Sequence, residues 1–418
     1  MTAPHPASPA GAGWSLERAE DHLLSLELFG MRFGLERMRR LLTALGSPQS
    51  AFRCIHVVGT NGKTSTTRYA AAMLQAHGVR AGAYLSPHLQ TFAERVRVGD
   101  ADLAPDAFGA AVQRAAQAAV KVERGLDPSE RVTQFELLTA AAFFALAEAG
   151  VEVAVVEAGL GGRWDATNVI DAPVVVLTSL GLEHTRWLGP TVTDIAREKL
   201  AVARSGATLV CGPLPAEAMD VVRATDARRV GVTVPLGARL PGYQRVNAAL
   251  ARAAVQALLG SVDEQAVIRA AEAVEVPGRF QRIADAPLTI VDGAHNAAGM
   301  AALADALPGE LCGRRTVACV SILDDKDAAG MLRTLLELCD AAVFTAATNP
   351  RALPPATLAS LAGQLGWAGR TVIERDPRRA LERAAEEAGR DGAVVATGSI
   401  YLVADLLSMP GRRRASAL

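Results

Sequence analysis

The sequence is short of several things. Cysteine occurs only at Cys54, Cys211, Cys312, Cys319 and Cys339. That odd, scattered set has no C-x-x-C spacing, which excludes a disulfide framework or thiolate zinc site and suits a reduced, cytoplasmic compartment. Excess charge of either sign is missing, with 43 Lys plus Arg against 44 Asp plus Glu. No broad basic face therefore argues for nucleic acid or a membrane surface. Apolar residues reach 50%, but alanine inflates the figure, and the run of about 18 apolar residues that marks a membrane span is absent. The opening MTAPHPASPAGAG has neither a basic start nor an apolar core, so residues 1–13 are expected to be a disordered tail rather than a secretory signal. There is no internal repeat. A G-x-S-x-G nucleophile elbow is lacking too.

What is present begins with Val57-Val58-Gly59-Thr60-Asn61-Gly62-Lys63-Thr64-Ser65-Thr66. An apolar, β-rich run (Cys54 to Val58) precedes it, and an Ala-rich helical stretch (Thr64 to His77) follows. Strand, glycine turn and helix form the geometry that cradles nucleotide phosphates. Gly59 and Gly62 permit backbone angles closed to other residues, so successive N–H groups can face one anion. Lys63 is placed to reach the outer phosphates, and the Thr64 hydroxyl to ligate Mg²⁺. Valine at 57 breaks the longer G-x-x-x-x-G-K-[ST] pattern, leaving the shorter G-T-N-G-K-T form.

The 418 residues leave room for two or three domains. Strand-like runs at Cys54–Val58, Val153–Glu157, Val174–Thr178 and Thr208–Cys211 alternate with helical stretches, which argues for a mostly parallel sheet covered on both faces. A second series begins at Leu288 and continues through 316–321, 342–345, 371–373 and 394–397. The expected class is α/β: a larger P-loop-containing domain (1–283) and a smaller doubly wound, Rossmann-like C-terminal domain (287–418).

Three more positions carry chemistry. Glu157 ends a strand and is followed by Gly159, Gly161 and Gly162. Open α/β sheets bind ligands at that edge, so Glu157 reads either as an Mg²⁺ ligand or as a solvated strand-end carboxylate. His184 follows the next strand and reads as a metal or active-site residue, or as a hydrogen-bonded structural one. Thr191-Val192-Thr193-Asp194 marks a helix start. Lys199 then shares a helical face with Ile195, Val202 and Ala203. Such a lysine snorkels to water. Alternatively its desolvated, neutral amine adds CO₂ to become a carbamate, an extended carboxylate able to serve a metal.

These strings together resemble the folylpolyglutamate synthase/dihydrofolate synthase family, the folate branch of the Mur ligases. The resemblance runs from Gly34–Met38 (GLERM) to Gly398–Tyr401 (GSIY). It includes GTNGKTS (Gly59–Ser65), SPHL (Ser86–Leu89), ERVRV (Glu94–Val98) and TQFE (Thr133–Glu136). Further along come EAGLGGRWDATN (Glu157–Asn168), LEHTRWLGPT (Leu182–Thr191), IAREK (Ile195–Lys199), PGRF (Pro277–Phe280), DGAHN (Asp292–Asn296) and DDKD (Asp324–Asp327).

The resemblance implies an ATP-dependent ligase that adds L-glutamate to a reduced folate or dihydropteroate carboxylate. It also implies that Gly59, Thr60, Asn61, Gly62, Lys63, Thr64 and Ser65 hold phosphates. A first Mg²⁺ would take Thr64, Ser86 and Glu157; a second would take His184 beside carbamylated Lys199. Asn247 and Arg279 would contact ATP, with Asp292 and His295 reaching the ribose and phosphates. On residue types alone, Asn247 and Asn296 also read as helix caps and Arg279 as a surface ion pair. Glu183 departs from the aspartate the family commonly has before the histidine. Leu200-Ala201 and Ala158 also differ from the family, as packing variation.

A carboxylate accepts an amine only after activation, so the implied route is an acyl phosphate attacked by the glutamate amine, with no protein nucleophile. A P-loop kinase or NTPase shares Gly59–Thr64 but needs neither Lys199 nor a second domain. Peptidoglycan-type Mur ligases share the chemistry but carry an extra N-terminal domain, and few residues precede Gly59 here. The expectation is a monomer without nucleic-acid or membrane partners.

Overall fold

In the computed structural model, residues 13–27, 34–127 and 129–408 are described. The expected tail therefore lies outside the described residues apart from Gly13. Two sheets organise the chain. The first has eight strands: β1 (Arg53–Val58), β2 (Ala81–Tyr84), β3 (Val96–Val98), β4 (Ala101–Asp102), β5 (Val153–Glu157), β6 (Val174–Leu177), β7 (Thr208–Cys211) and β8 (Arg228–Gly231). Their order is β4-β3-β2-β5-β1-β6-β7-β8. All pairings are parallel except those joining β2 to β3 and β3 to β4.

The central strands read as unbroken apolar runs because both faces are covered. β5 (VAVVE) and β6 (VVVL) are buried at every position. One face packs against the helix Gln134–Glu148, through Leu137, Leu138 and Phe143. The opposite face packs against the helices Lys63–Ala76 and Gly242–Leu259, through Met73, Leu74, Leu250 and Val255.

The second sheet has six strands: β9 (Gln281–Asp285), β10 (Leu288–Val291), β11 (Thr316–Val320), β12 (Ala341–Phe344), β13 (Arg370–Ile373) and β14 (Ala393–Thr397). They run in the order β13-β12-β11-β14-β10-β9, parallel except for β9 against β10. Helices cover both faces, giving the doubly wound α/β arrangement expected. β9 straddles residue 283 and belongs wholly to this second sheet through its ladder with β10. The division between the sheets therefore falls before Gln281, ahead of the expected boundary.

Among the described residues, no helix is long and apolar enough to cross a membrane.

Candidate active site

The loop between β1 and the helix Lys63–Ala76 lies at the carboxyl edge of the first sheet, flanked by β5 and β6. Gly59 and Gly62 take φ of +149° and +86°. A side chain at Gly59 would collide with the Thr178 hydroxyl, and one at Gly62 with the Asn247 amide. Glycine is required there both for conformation and for space. The Thr60 and Asn61 N–H groups donate to the Ser179 carbonyl and hydroxyl, both at 2.9 Å. They thus anchor the loop instead of facing an anion, unlike the simplest reading of the motif. The helix that starts at Lys63 has no side-chain cap. Its first N–H groups and its dipole are left for phosphate.

Two lysines meet at this loop. Lys63 Nζ donates to the carbonyls of Gly59 (3.1 Å) and Thr60 (3.2 Å). Lys199 Nζ donates to the same Gly59 carbonyl at 2.8 Å. Lys199 is 5% exposed, so it does not snorkel. Burial and the neighbouring Lys63 charge pull its amine down to about 7.

The Thr191–Asp194 capping box forms as the sequence suggests and starts the helix Val192–Leu200. That helix is shorter than the expected stripe. It caps at Ala201, and Ala203 N–H bonds back to Leu200, so Val202 and Ala203 lie past its end. Of the expected stripe only Ile195 shares the helix with Lys199; Gly162 packs close against the backbone of that helix. A Cβ on Gly162 would lie 2.7 Å from the Lys199 carbonyl.

Glu157, 1% exposed, accepts from the Thr64 hydroxyl at 3.0 Å and the Ser86 N–H at 3.2 Å. It is no solvated strand end. Burial pushes its carboxyl up to about 7, against the opposing pull of Lys63 and these two hydrogen bonds. A carboxylate so desolvated is matched by a divalent cation. The Ser86 hydroxyl receives Arg95 Nη1 at 3.3 Å. His184 has φ of +51°. The residue is exposed; desolvation of its ring, then the Lys326, Lys63 and Lys199 charges, lower its imidazole against Glu183.

Among the described residues no three His, Cys, Asp or Glu side chains group for a metal. The set around Glu157 is two hydroxyls and one carboxylate, from Thr64, Ser86 and Glu157 itself. It suits Mg²⁺, which keeps several waters and shares phosphate oxygens, more than a metal needing an all-protein cage.

Asn247 comes from a helix packed on the first sheet, and the other expected residues approach from the second sheet and its border. Asn247 sits inside the helix Gly242–Leu259 and bonds Gln244 at 3.1 Å. It abuts Gly62 and is not a cap. Asn296, in contrast, does cap the helix Ala297–Leu311 through the Gly299 N–H. Arg279 Nη1 donates to the Gly278 carbonyl at 3.0 Å, and among the described residues it forms no ion pair.

Asp292 is turned inward. It accepts from the Tyr243 hydroxyl, the Phe280 N–H (2.7 Å) and the Ala294 N–H (2.8 Å). Burial raises its carboxyl against these bonds and Arg279. His295 bonds the Gly293 carbonyl through Nδ1 (2.8 Å) and Glu183 through Nε2 (2.9 Å).

Sequence reasoning missed two ties between the sheets. One is the reciprocal amide pair of Asn61 with Asn296. The other is the set of contacts that Glu183 makes with His295, Asn296 and Lys326. The only advance signal was a lone cation within DDKD.

The chain carries two domain signatures that the fold and site together define as those of a Mur-type ligase. Residues 57–207 match the Mur ligase middle domain and residues 278–400 the Mur ligase glutamate ligase domain. The dihydrofolate synthase/folylpolyglutamate synthase of Mycobacterium tuberculosis is 35% identical, over 83% of this chain and 81% of that protein. The chain belongs to the dihydrofolate synthase/folylpolyglutamate synthase family.

Solved structures agree. The M. tuberculosis folylpolyglutamate synthase complexed with ADP has a TM-score of 0.88 at 33% identity, over 96% of this chain and 99% of that one. Escherichia coli FolC in complex with DHPP and ADP has a TM-score of 0.82 at 30% identity, over 97% and 98%. The Yersinia pestis bifunctional enzyme complexed with AMPPNP and Mn ion has a TM-score of 0.81 at 28% identity, over 97% and 99%.

Proposed function

We propose that this chain is an ATP-dependent ligase that joins the α-amine of L-glutamate to a carboxylate of a reduced folate or of dihydropteroate. The observation that carries the reading is the convergence of Lys63, Lys199 and Glu157 on one sheet edge, faced by His295 and Asn296 from the second sheet. A kinase or simple NTPase needs no buried lysine beside its P-loop and no second lobe.

The order of events follows from bond making. An acceptor carboxylate oxygen attacks the γ-phosphorus of ATP, and ADP departs. The glutamate amine then attacks the acyl carbon, loses a proton, and inorganic phosphate leaves with the former carboxylate oxygen. Lys63, freed from its own loop carbonyls, stabilises the negative charge on the transferring phosphoryl group. Glu157, Thr64 and Ser86 would hold one Mg²⁺. His184 and carbamylated Lys199 would hold a second. These ions supply charge neutralisation for the phosphates. Asn247, Arg279, Asp292 and His295 complete the nucleotide surroundings. Closure of the second lobe shields the acyl phosphate from water. The monomeric state and cytoplasmic setting belong to the same reading.

The test is ADP release with L-glutamate and, separately, 7,8-dihydropteroate or a reduced folate monoglutamate. Release that requires both acceptor and amino acid supports a ligase; release with either alone overturns it. Glu157→Gln keeps size but removes charge, so turnover should fall on the order of 100-fold, with partial recovery as Mg²⁺ is raised. Activity independent of Mg²⁺ in the unaltered protein would remove the metal assignment.

A pH dependence follows from the same two groups. Below about 7 Glu157 holds a proton that competes with a cation, and Lys199 holds one that blocks addition of CO₂. Both effects point the same way. At limiting Mg²⁺, kcat/KM should rise from pH 6 to pH 8; a flat profile would contradict the assignment.

A further inference from the structure

Glu183 belongs to the first lobe but spends its carboxylate on the second. Its Oε1 lies 2.9 Å from His295 Nε2, accepts from Asn296 Nδ2 at 3.3 Å and is 3.6 Å from Lys326 Nζ. Asn296 also exchanges two amide hydrogen bonds with Asn61 of the P-loop, at 3.1 and 3.0 Å. The result is a continuous net from the P-loop, through the loop after β10, to the segment after β11.

The charges are shielded: the Glu183 and Lys326 side chains are 9% and 11% exposed, so this is no solvated surface pair. Reach matters as much as charge. An aspartate at 183 would withdraw the carboxylate by about 1.5 Å, beyond hydrogen-bonding range of His295.

We infer that Glu183 is a positioning residue for ligation: acting through His295, Asn296 and Lys326, it fixes the second lobe against the P-loop so that His295 faces the nucleotide cleft. This rests on the ligase reading above. Lys326, with Asp325 also within 3.5 Å, lends the clasp a second attachment that does not involve the nucleotide-facing residues.

Glu183→Asp and Glu183→Gln in the full chain separate reach from charge. Each should lower kcat by about 10- to 100-fold, with a much smaller loss of MgADP affinity, and give a larger radius of gyration by small-angle scattering without nucleotide. Lys326→Met should act in the same direction more weakly. The Glu183→Gln/Lys326→Met double variant should be no worse than Glu183→Gln alone, as expected of groups in one net.

Unaltered kcat and scattering in both Glu183 variants would overturn the proposal. So would a loss expressed wholly as weaker MgADP binding, which would make Glu183 an adjunct of His184. Absence of glutamate-dependent ADP release by the unaltered protein would instead overturn the ligase reading, and the scattering comparison would still decide the clasp.

Discussion

Lys63→Ala is expected to lower ligation turnover on the order of 10³-fold or more while the fold survives. Both hydrogen bonds of the ammonium go to carbonyls of its own loop, at Gly59 and Thr60, so no distant element depends on it. The loop keeps its shape through the anchoring of Thr60 and Asn61 to Ser179. What disappears is the point charge beside the transferring phosphoryl group. Glutamate-dependent ADP release measures the loss, and a thermal melt checks the fold. A variant keeping a tenth of normal turnover would remove Lys63 from the chemistry.

Lys199→Ala should be inactive yet folded, with a small recovery in concentrated acetate, whose carboxylate fills the place of the carbamate. The physical basis is burial beside Lys63, which makes the neutral amine available near pH 7. An unmodified amine found by intact mass or crystallography in fully active protein would sink the carbamate. The same burial has a stability signature. Between about 7 and the ordinary lysine value of 10.5 the unfolded chain binds the extra proton. Stability therefore rises with pH across that window, and the folded state carries the full cost of a buried ammonium below it. Lys199→Met, which keeps the bulk, should lose that slope when melts at pH 6 and pH 9 in CO₂-free buffer are compared.

Local order was legible in the chain. The runs around Cys54, Val153, Val174 and Thr208 became strands because buried parallel strands are apolar throughout. The Thr191–Asp194 box became a cap because its hydrogen bonds span only three residues. The short strands Ala81–Tyr84 and Val96–Val98 were not legible, since AGAY and VRV carry too few residues for a period to register. Nor was the end of the Lys199 helix, where Leu200 and Ala201 carry no stop signal. The ties between Asn61 and Asn296, and between Glu183 and His295, join residues more than a hundred positions apart. Such pairs are set by how two sheets meet, which no local pattern encodes.

The interior position of β1 bears on how the chain is made. Arg53 pairs with Val153, and Ile55 with Val174. During synthesis at roughly 5–20 residues per second, the P-loop strand leaves the ribosome several seconds before either of its neighbours exists. Its apolar edges stay unpaired throughout that interval, as strand edges competent to join another nascent chain. The nucleotide cradle is therefore translated early in this lobe and gains its two strand neighbours only after roughly a hundred further residues have followed.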